Sequence, residues 1–450
     1  MLILILGMYS QKIRSLLKGI KESDKIKVVT KGKSYQGVLM PRSELGSPDY
    51  LVVKLDNGYN VGLKYEPTMK VKKMPSKPPA IVKKPRVKQN KKLPAISLLS
   101  TGGTIASKVD YKTGGVTAAL DADDIIEAIP ELLDYVYVKD SKMMFQLMSE
   151  DITPNEWIKM AKTVEKELNS GLKGVVITHG TDIMHYSSAA LSFMLPNVSK
   201  PVVLVGSQRS TDRGSADSAM NLICSAIVAG KSDIAEVGIC MHGSMEDNIC
   251  FFNRGTKVRK MHTSRRDTFR PINSLPIAKV WPSGKIETLQ RYNKRTDVDV
   301  KADACFEKKV ALVKSYPGSG GLDILKYLTD KGYKGFVIEA TGFGHVPTRT
   351  IQKEDSWIPT IKGLVEKGIP VVVSSQAIYG RVNPNVYTNL RILFHEAKAI
   401  PAEDMLPETA YVKLGWVLAH TTKPEKVREM MLTNYAGEIS KRTLPETFLY

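Results

Sequence analysis

Short apolar runs alternate with helical stretches from residue 95 onward, and this alternation constrains the fold more than any other feature of the chain. Residues 153–171 carry helix signals, with Thr153 as N-cap, Pro154 at the first helical position and Gly171 at the end. The candidate strands are residues 95–100, 173–178, 201–206 and 236–242. This alternation predicts an α/β fold with a largely parallel sheet.

A polar stretch at residues 290–309 interrupts this pattern. A second series of apolar strands follows at residues 310–316, 335–341 and 370–376. A break in composition between two strand series is typical of a domain boundary. We therefore predict two α/β domains, at residues 95–290 and 309–450.

Residues 1–73 predict a separate and smaller module. Short β-branched and aromatic runs between residues 25 and 73 are separated by turn signals, of which Asp56-Asn57-Gly58 is the clearest, since Asn-Gly readily supplies the positive φ angles of a tight hairpin. Apolar groups at helical spacing over residues 8–22 predict a preceding amphipathic helix. We expect a small, barrel-like all-β domain.

Basic residues are concentrated before residue 94. The whole chain has a net charge of +19, and residues 1–93 contain 21 Lys or Arg against 6 Asp or Glu, a net charge of +15. Residues 74–94 hold five Pro and seven Lys or Arg with no acidic residue, which predicts an extended linker. The charge indicates either a partner rich in phosphate, with RNA as the leading candidate, or a solubilising tail.

Cysteine usage and hydropathy indicate a cytoplasmic protein. The apolar start of the chain is too short to span a bilayer, and no run of 18 or more apolar residues occurs. The four cysteines lack disulfide density, so reduced thiols are expected. Cys240, His242 and Cys250 match no zinc spacing, and no metal site is predicted.

Two polar motifs directly follow predicted strands. Thr101-Gly102-Gly103-Thr104-Ile105-Ala106 follows the strand at 95–100, and His179-Gly180-Thr181-Asp182 follows the strand at 173–178. Reactive groups of α/β sheets lie at the carboxyl ends of the strands, and glycines let the backbone turn sharply there. Neither motif contains a phosphate-loop pattern.

The two motifs together resemble the L-asparaginase and glutaminase family, over roughly residues 95–440. The resemblance implies an asparaginase-like two-domain α/β fold, an amidohydrolase with a covalent acyl-enzyme, no metal or organic cofactor, and active sites completed across a homodimer. It also implies catalytic roles for Thr101 as nucleophile, for Thr181 with Asp182, and for a lysine. Lys260, nine residues before Phe269, fits that lysine better than Lys257 does.

The same resemblance implies substrate-binding roles for Ser149, Glu150 and Gly180. Glutamine is common in the family where this chain has Glu150, and a carboxylate there would strengthen a contact to a substrate ammonium. These residue types suit amide cleavage, because a threonine hydroxyl needs a neighbouring group to accept its proton, and a lysine held by an aspartate can serve once it has released its own. Which threonine attacks first stays open. The histidines at 179 and 185 are expected to be structural.

A basic β-module and linker before the catalytic region resemble the glutamine-hydrolysing subunits of archaeal glutamyl-tRNA(Gln) amidotransferases. That resemblance implies hydrolysis of glutamine and delivery of ammonia to a tRNA-binding partner subunit, which holds tRNA(Gln) and uses ATP and Mg²⁺, in a heterotetramer. The alternatives are a free-standing cytoplasmic L-asparaginase and a catalytically idle RNA-binding protein. Pocket depth, which separates glutamine from asparagine by one methylene, is not readable from the sequence.

Overall fold

The computed structural model describes residues 9–22, 24–40, 47–55, 60–75, 89–102, 107–109, 116–118, 129–209, 215–319 and 321–450. The predicted turn at Asp56-Asn57-Gly58, most of the predicted linker and the second half of the first glycine motif lie outside these residues. None of the helices in the described ranges is long and apolar enough to cross a membrane.

A small antiparallel sheet forms the N-terminal module. Its strands pair in the order β4-β3-β2-β1-β5, every pair is antiparallel, and the sheet has an apolar core of its own. The strands are β1 (Lys25–Thr30), β2 (Lys33–Leu39), β3 (Tyr50–Leu55), β4 (Asn60–Lys64) and β5 (Lys70–Lys73). The all-β prediction is confirmed, while closure of the sheet into a barrel stays a prediction.

The helix of this module is shorter than predicted. It spans α1 (Gln11–Leu16) rather than residues 8–22. Gly19 adopts a positive φ of 77°, a conformation that cannot continue a right-handed helix. Ile13 and Leu17 are buried, so the apolar face packs on the sheet as expected.

An eight-stranded sheet carries both glycine motifs. Its order is β17-β16-β13-β12-β11-β10-β6-β9, with parallel pairing from β12 to β9 and antiparallel pairing from β12 to β17. The strands are β6 (Ala95–Gly102), β9 (Tyr137–Leu147), β10 (Gly174–Thr178), β11 (Val202–Val205), β12 (Val237–His242), β13 (Cys250–Arg254), β16 (Ala278–Val280) and β17 (Ile286–Thr288). The four predicted strands of this region are confirmed, and their complete burial explains their apolar runs.

Two short hairpins lie outside this sheet. They pair β7 (Ser107–Val109) with β8 (Val116–Ala118) and β14 (Val258–Lys260) with β15 (Phe269–Pro271). The helices around the sheet are α2 (Pro154–Asn169), α3 (Met184–Met194) and α4 (Ser218–Lys231), with 3₁₀ turns at Pro130–Asp134 and Ser149–Asp151. Thr153 caps α2 and Pro154 begins it, as predicted.

A four-stranded parallel sheet forms the last part of the chain, in the order β18-β19-β20-β21. Its strands are β18 (Val310–Lys314), β19 (Gly335–Ala340), β20 (Val371–Ser375) and β21 (Ile400–Pro401). The helices are α5 (Gly321–Asp330), α6 (Ile358–Glu366), α7 (Thr388–Arg391), α8 (Pro407–His420) and α9 (Pro424–Leu432), with 3₁₀ turns at Lys353–Asp355 and Pro445–Thr447 and a π-helical turn at Ile392–Glu396.

Helix α8 joins the two sheets into one core. Its buried residues Leu414 and Trp416 belong to the same apolar cluster as Phe193 of α3 and Val337 of β19. The second apolar cluster lies on the other side of the four-stranded sheet. The predicted asparaginase-like α/β architecture is thus confirmed, with mixed pairing in the larger sheet rather than parallel pairing throughout.

Candidate active site

Thr101 lies at the carboxyl end of β6. The strand pairs in parallel with β10, and the Thr101 hydroxyl donates a 2.9 Å hydrogen bond to the backbone oxygen of Thr178. Gly102 follows with φ of 98°, in the left-handed region that favours glycine. Thr101 is therefore buried where the chain turns away from the sheet.

Gly180 and Gly206 leave room for the second motif. A Cβ on Gly180 would lie 2.7 Å from the Ser149 Cβ, and one on Gly206 would lie 2.8 Å from the Thr181 Cγ2. Gly206 directly follows β11, the neighbour of β10 in the sheet. The glycines thus allow three segments to converge at Thr181.

Lys260 bridges the Thr-Asp pair. Its Nζ donates to the Thr181 Oγ1 at 2.9 Å and to the Asp182 Oδ1 at 2.6 Å. The Lys260 side chain is 10% exposed and that of Asp182 is 63% exposed. In the hairpin of β14 and β15, Lys260 stands opposite Phe269, so the predicted spacing of nine residues corresponds to a cross-strand pair.

Lys257 lies elsewhere, in a buried ion pair. Its Nζ contacts the Asp404 Oδ2 at 2.6 Å, and both side chains are shielded from solvent. Burial lowers the pKa of Lys257, and the charge of Asp404 opposes that shift. The geometry therefore brings Lys260, and not Lys257, to Thr181.

Ser149 and Glu150 lie beside the same motif. The backbone N–H of Asp182 donates to the Ser149 Oγ at 3.3 Å, and the Ser149 hydroxyl lies 3.4 Å from the Glu150 Oε2. Ser149 is buried and Glu150 is exposed. The pair thus places a carboxylate next to the opening of the site.

The two histidines of this region are neutral. The His179 Nδ1 lies 2.6 Å from the Gly180 backbone oxygen, and burial lowers the pKa of His179 to about 4. Burial, reinforced by the charges of Arg259 and Lys260, lowers the pKa of His185 to about 3. These contacts agree with the structural roles expected for both.

A buried network behind Lys260 was not found in the sequence. Glu408 of α8 contacts the Arg259 Nε at 3.1 Å and the His185 Nε2 at 3.5 Å. Burial raises the pKa of Glu408, and Arg259 opposes that shift. The residues are about 75 and 150 positions apart in the chain, so only the fold brings them together.

Asp217 is a second residue that the sequence did not indicate. Its carboxylate accepts hydrogen bonds from the Ser207 hydroxyl at 2.8 Å and from the backbone N–H groups of Gln208 and Arg209 at 3.0 Å. These contacts hold the segment that follows β11 at the same edge of the sheet. An open cleft next to this edge is lined by Asp182, Lys260, Met261, His262 and Thr263.

Sequence comparison matches three family profiles to the chain. They are described as Asparaginase, N-terminal (residues 95–294), Glutaminase/Asparaginase C-terminal domain (residues 309–431) and GatD N-terminal domain (residues 20–74).

Similar proteins cover almost the whole chain. The glutamyl-tRNA(Gln) amidotransferase GatD protein of Pyrococcus furiosus is 51% identical over 440 residues, 96% of this chain and 98% of that protein. The corresponding amidotransferase protein of Methanothermobacter thermautotrophicus is 44% identical over 438 residues, 97% and 98% of the two chains. Among solved structures, the thermostable L-asparaginase from Thermococcus kodakarensis is 30% identical with a TM-score of 0.68, covering 77% of this chain and 99% of that chain.

Proposed function

The chain belongs to the GatD family of glutamyl-tRNA(Gln) amidotransferase subunits, which are asparaginase-type amidohydrolases, and from this we propose that it releases ammonia from glutamine for the conversion of Glu-tRNA(Gln) to Gln-tRNA(Gln). The similarity to GatD proteins includes the N-terminal module as well as the catalytic region. Delivery of aminoacyl-tRNA to the ribosome takes place in the cytoplasm, and we propose the same location for this activity.

The contact of Lys260 with both Thr181 and Asp182 carries the chemical part of this proposal. Amide cleavage by a hydroxyl needs a group that takes the proton of the nucleophile and one that delivers a proton to the leaving amine. Asp182 fixes the lysine, and the Thr181 hydroxyl links the lysine to the reacting groups. Thr101, Thr181, Asp182 and Lys260 form the proposed catalytic set.

The proposed reaction is acyl transfer to water in two steps. The Thr101 oxygen bonds to the side-chain amide carbon of glutamine, the C–N bond breaks, and the nitrogen leaves as ammonia with the proton that Thr101 gives up. Water then attacks the ester, glutamate leaves, and the hydroxyl of Thr101 is restored. Backbone N–H groups at the glycine turns stabilise the oxyanion in both steps.

Ser149, Glu150 and Gly180 form the proposed substrate-binding set. Ser149 and Gly180 are in van der Waals proximity, so a substrate held by one is in reach of the other. The exposed Glu150 carboxylate is the residue proposed to bind the α-ammonium group of the substrate. Hydrolysis itself is proposed to need no metal or organic cofactor.

The proposed assembly is a heterotetramer, in which a homodimer of this chain binds two copies of a tRNA-binding partner subunit. The names of its relatives describe one subunit of an amidotransferase, which supports the existence of such a partner. The partner is proposed to bind tRNA(Gln) and to activate the glutamate with ATP and Mg²⁺. The ammonia from this chain would then react with the activated carboxyl group.

Ammonia release with and without the partner tests this function. The purified chain is assayed with glutamine and with asparagine, then with the tRNA-binding partner, ATP, Mg²⁺ and Glu-tRNA(Gln). We expect glutamine hydrolysis that rises when the partner and the charged tRNA are present, and formation of Gln-tRNA(Gln). Thr101→Ala in the same assembly should form no Gln-tRNA(Gln) from glutamine but should still do so from added ammonium.

A free-standing L-asparaginase is the second candidate, because solved L-asparaginases share the architecture of the catalytic region. That function predicts rapid hydrolysis of asparagine by the chain alone and no response to the tRNA-binding partner or to charged tRNA. This result would overturn the proposed role in transamidation while leaving the amidohydrolase chemistry in place.

A further inference from the structure

Three potential metal ligands from distant parts of the sequence meet beside the connection between the two sheets. Asp303 and Cys305 lie in the segment that links β17 to β18, and His420 is the last residue of α8. One ligand atom from each residue lies within 4.8 Å of the other two. None of the three belongs to the proposed catalytic or substrate-binding sets.

The distances in this cluster are close to those between ligands of one tetrahedral ion. The Cys305 Sγ lies 3.6 Å from the His420 Nε2 and 3.4 Å from the Asp303 Oδ1. Zinc bond lengths of about 2.3 Å to sulfur and about 2.0–2.1 Å to nitrogen or oxygen give tetrahedral ligand separations of about 3.6 Å for S–N and S–O and about 3.4 Å for N–O. The sulfur separations therefore already match.

The nitrogen and oxygen ligands are closer, because a hydrogen bond joins them. The His420 Nε2 lies 2.7 Å from the Asp303 Oδ2, so this pair has to open by about 0.7 Å to reach the separation that zinc ligands have. The Cys305 Sγ is nearly equidistant from both nitrogens of the His420 ring. A small turn of the Cys305 side chain brings the sulfur to the Nε2 side.

The ring of His420 is oriented by its other nitrogen. The His420 Nδ1 lies 2.7 Å from the backbone oxygen of Trp416, which can only accept a hydrogen bond, so Nδ1 carries a proton. A metal-binding histidine commonly donates its second ring N–H to a backbone carbonyl in this way. Nε2 is therefore the atom that faces the cluster.

The backbone around the cluster is held in place by packing. The N–H of Asp303 donates to the Met194 oxygen at 2.8 Å. The ring of Phe306 lies so close to Gly415 of α8 that a Cβ there would come within 2.2 Å of it. The ligands are thus presented from two segments whose separation is already set, which reduces the entropy lost on binding an ion.

We propose that Asp303, Cys305 and His420 bind one divalent ion of the zinc class, which fastens the segment between the two sheets to the end of α8. A thiolate and an imidazole select zinc, cobalt and similar ions over Mg²⁺ and Ca²⁺, which prefer oxygen ligands. Binding replaces the proton of the Cys305 thiol and any proton on the His420 Nε2. Water completes the tetrahedron, since the side chains of Asp303 and His420 are about one third exposed.

A reactive-cysteine function fits the cluster less well. Burial, together with the nearby carboxylate of Asp303, raises the pKa of Cys305 to about 12. Without a cation this sulfur is a thiol, and a thiol is a poor nucleophile. A bound cation reverses that balance, because a coordinating thiol loses its proton outright.

Cobalt binding to the full-length chain tests this site. The protein is treated with a chelator, dialysed and titrated with Co²⁺, and the near-ultraviolet thiolate-to-cobalt charge-transfer band is followed. We expect one equivalent of Co²⁺ to produce the band and one equivalent of Zn²⁺ to remove it. Cys305→Ser should abolish the band, whereas Cys224→Ser, the same change at a buried thiol elsewhere, should retain it.

Thermal unfolding in the presence of Zn²⁺ provides the second measurement. We expect Zn²⁺ to raise the Tm of the wild-type chain and of Cys224→Ser but not of Asp303→Asn or Cys305→Ser, and we expect each cluster variant to bind Zn²⁺ at least tenfold more weakly. The proposal is overturned if the wild-type chain shows no thiolate band, or if the band and the Zn²⁺-dependent Tm survive in both cluster variants. Neither outcome depends on amidohydrolase activity.

Discussion

Two lysines three residues apart, Lys257 and Lys260, lie in opposite electrostatic environments. Lys257 is enclosed with Asp404, while Lys260 reaches Thr181 and the solvent-exposed Asp182. Removing one partner of a buried ion pair leaves an unpaired charge in the interior, whereas removing Lys260 leaves a carboxylate that water can solvate. Substitution of either lysine should therefore affect a different property.

For the site residues, we predict that Thr101→Ala and Lys260→Ala each lower kcat by a factor on the order of 10⁴ or more, because a nucleophile and its base act as a unit. Circular dichroism of both variants should match that of the wild type. Lys257→Met should instead lower the free energy of unfolding by about 3–5 kcal/mol, with turnover retained in the folded fraction. Wild-type-like turnover by Lys260→Ala would transfer the catalytic role to Lys257.

His179 should make the protein sensitive to acid. Its pKa of about 4 in the folded chain is below the ordinary value of 6.5, so the unfolded chain takes up the proton first as the pH falls. Stability is therefore complete above pH 6.5 and is lost between pH 6.5 and 4, by about 3 kcal/mol for this residue. Urea unfolding at several pH values should show a smaller loss in His179→Gln, and an unchanged loss in the exposed control His395→Gln.

The site residues show what the sequence can and cannot predict. Thr101, Thr181 and Asp182 follow strands whose apolar runs are visible, so their placement at one sheet edge was predictable. The partners of Glu408 and of Asp404 were not, because those contacts join segments about 150 residues apart that only the packing of α8 and its neighbours brings together. The proposed metal ligands are separated in the same way, by 115 residues between Cys305 and His420.

At the scale of single elements, local signals predicted more than long-range ones. The start of α2 was predicted because a capping box is a local signal: the Thr153 side chain accepts from the Asn155 N–H, and Glu156 bonds back to the Thr153 N–H. The antiparallel half of the large sheet was not predicted. Its strands are only three to five residues long, and their pairing depends on contacts across the hairpins.

The cap of α2 gives a prediction at this scale. Thr153→Ala should lower the free energy of unfolding by about 1 kcal/mol, because the first N–H groups of the helix lose their acceptor. The substitution lies four residues after Ser149 but outside the proposed catalytic set, so kcat should stay within about twofold of the wild type. Thr163→Ala, at an exposed position within the same helix, is the matched control and should leave stability almost unchanged.

At the scale of the whole molecule, the resemblance to asparaginases implies a homodimer with active sites completed across the interface. An obligate interface of this type buries on the order of 2,000 Å² or more. Light scattering at micromolar concentration should then give about 100 kDa, twice the mass of the 49.8 kDa chain. A monodisperse and active monomer would contradict the shared active site.

The N-terminal module should be separable from the chemistry. Its apolar core has no member in common with the two cores of the catalytic region, and the proposed catalytic residues all lie beyond residue 100. We predict that removing residues 1–93 leaves glutamine hydrolysis present but uncouples it from formation of Gln-tRNA(Gln). Near-wild-type circular dichroism and basal turnover of the truncated chain would establish that the catalytic region is still folded.

Salt dependence distinguishes a tRNA-docking role of this module from a solubilising one. Residues 1–93 carry a net charge of +15, and each phosphate that they neutralise releases counterions, so affinity falls as salt rises. We expect tRNA-dependent stimulation to drop steeply between about 50 and 200 mM salt in the full-length chain and less steeply in the truncated one, while basal hydrolysis changes little. If truncation leaves amide formation and its salt slope unchanged, the module has no part in the assembly, and the basic residues serve solubility.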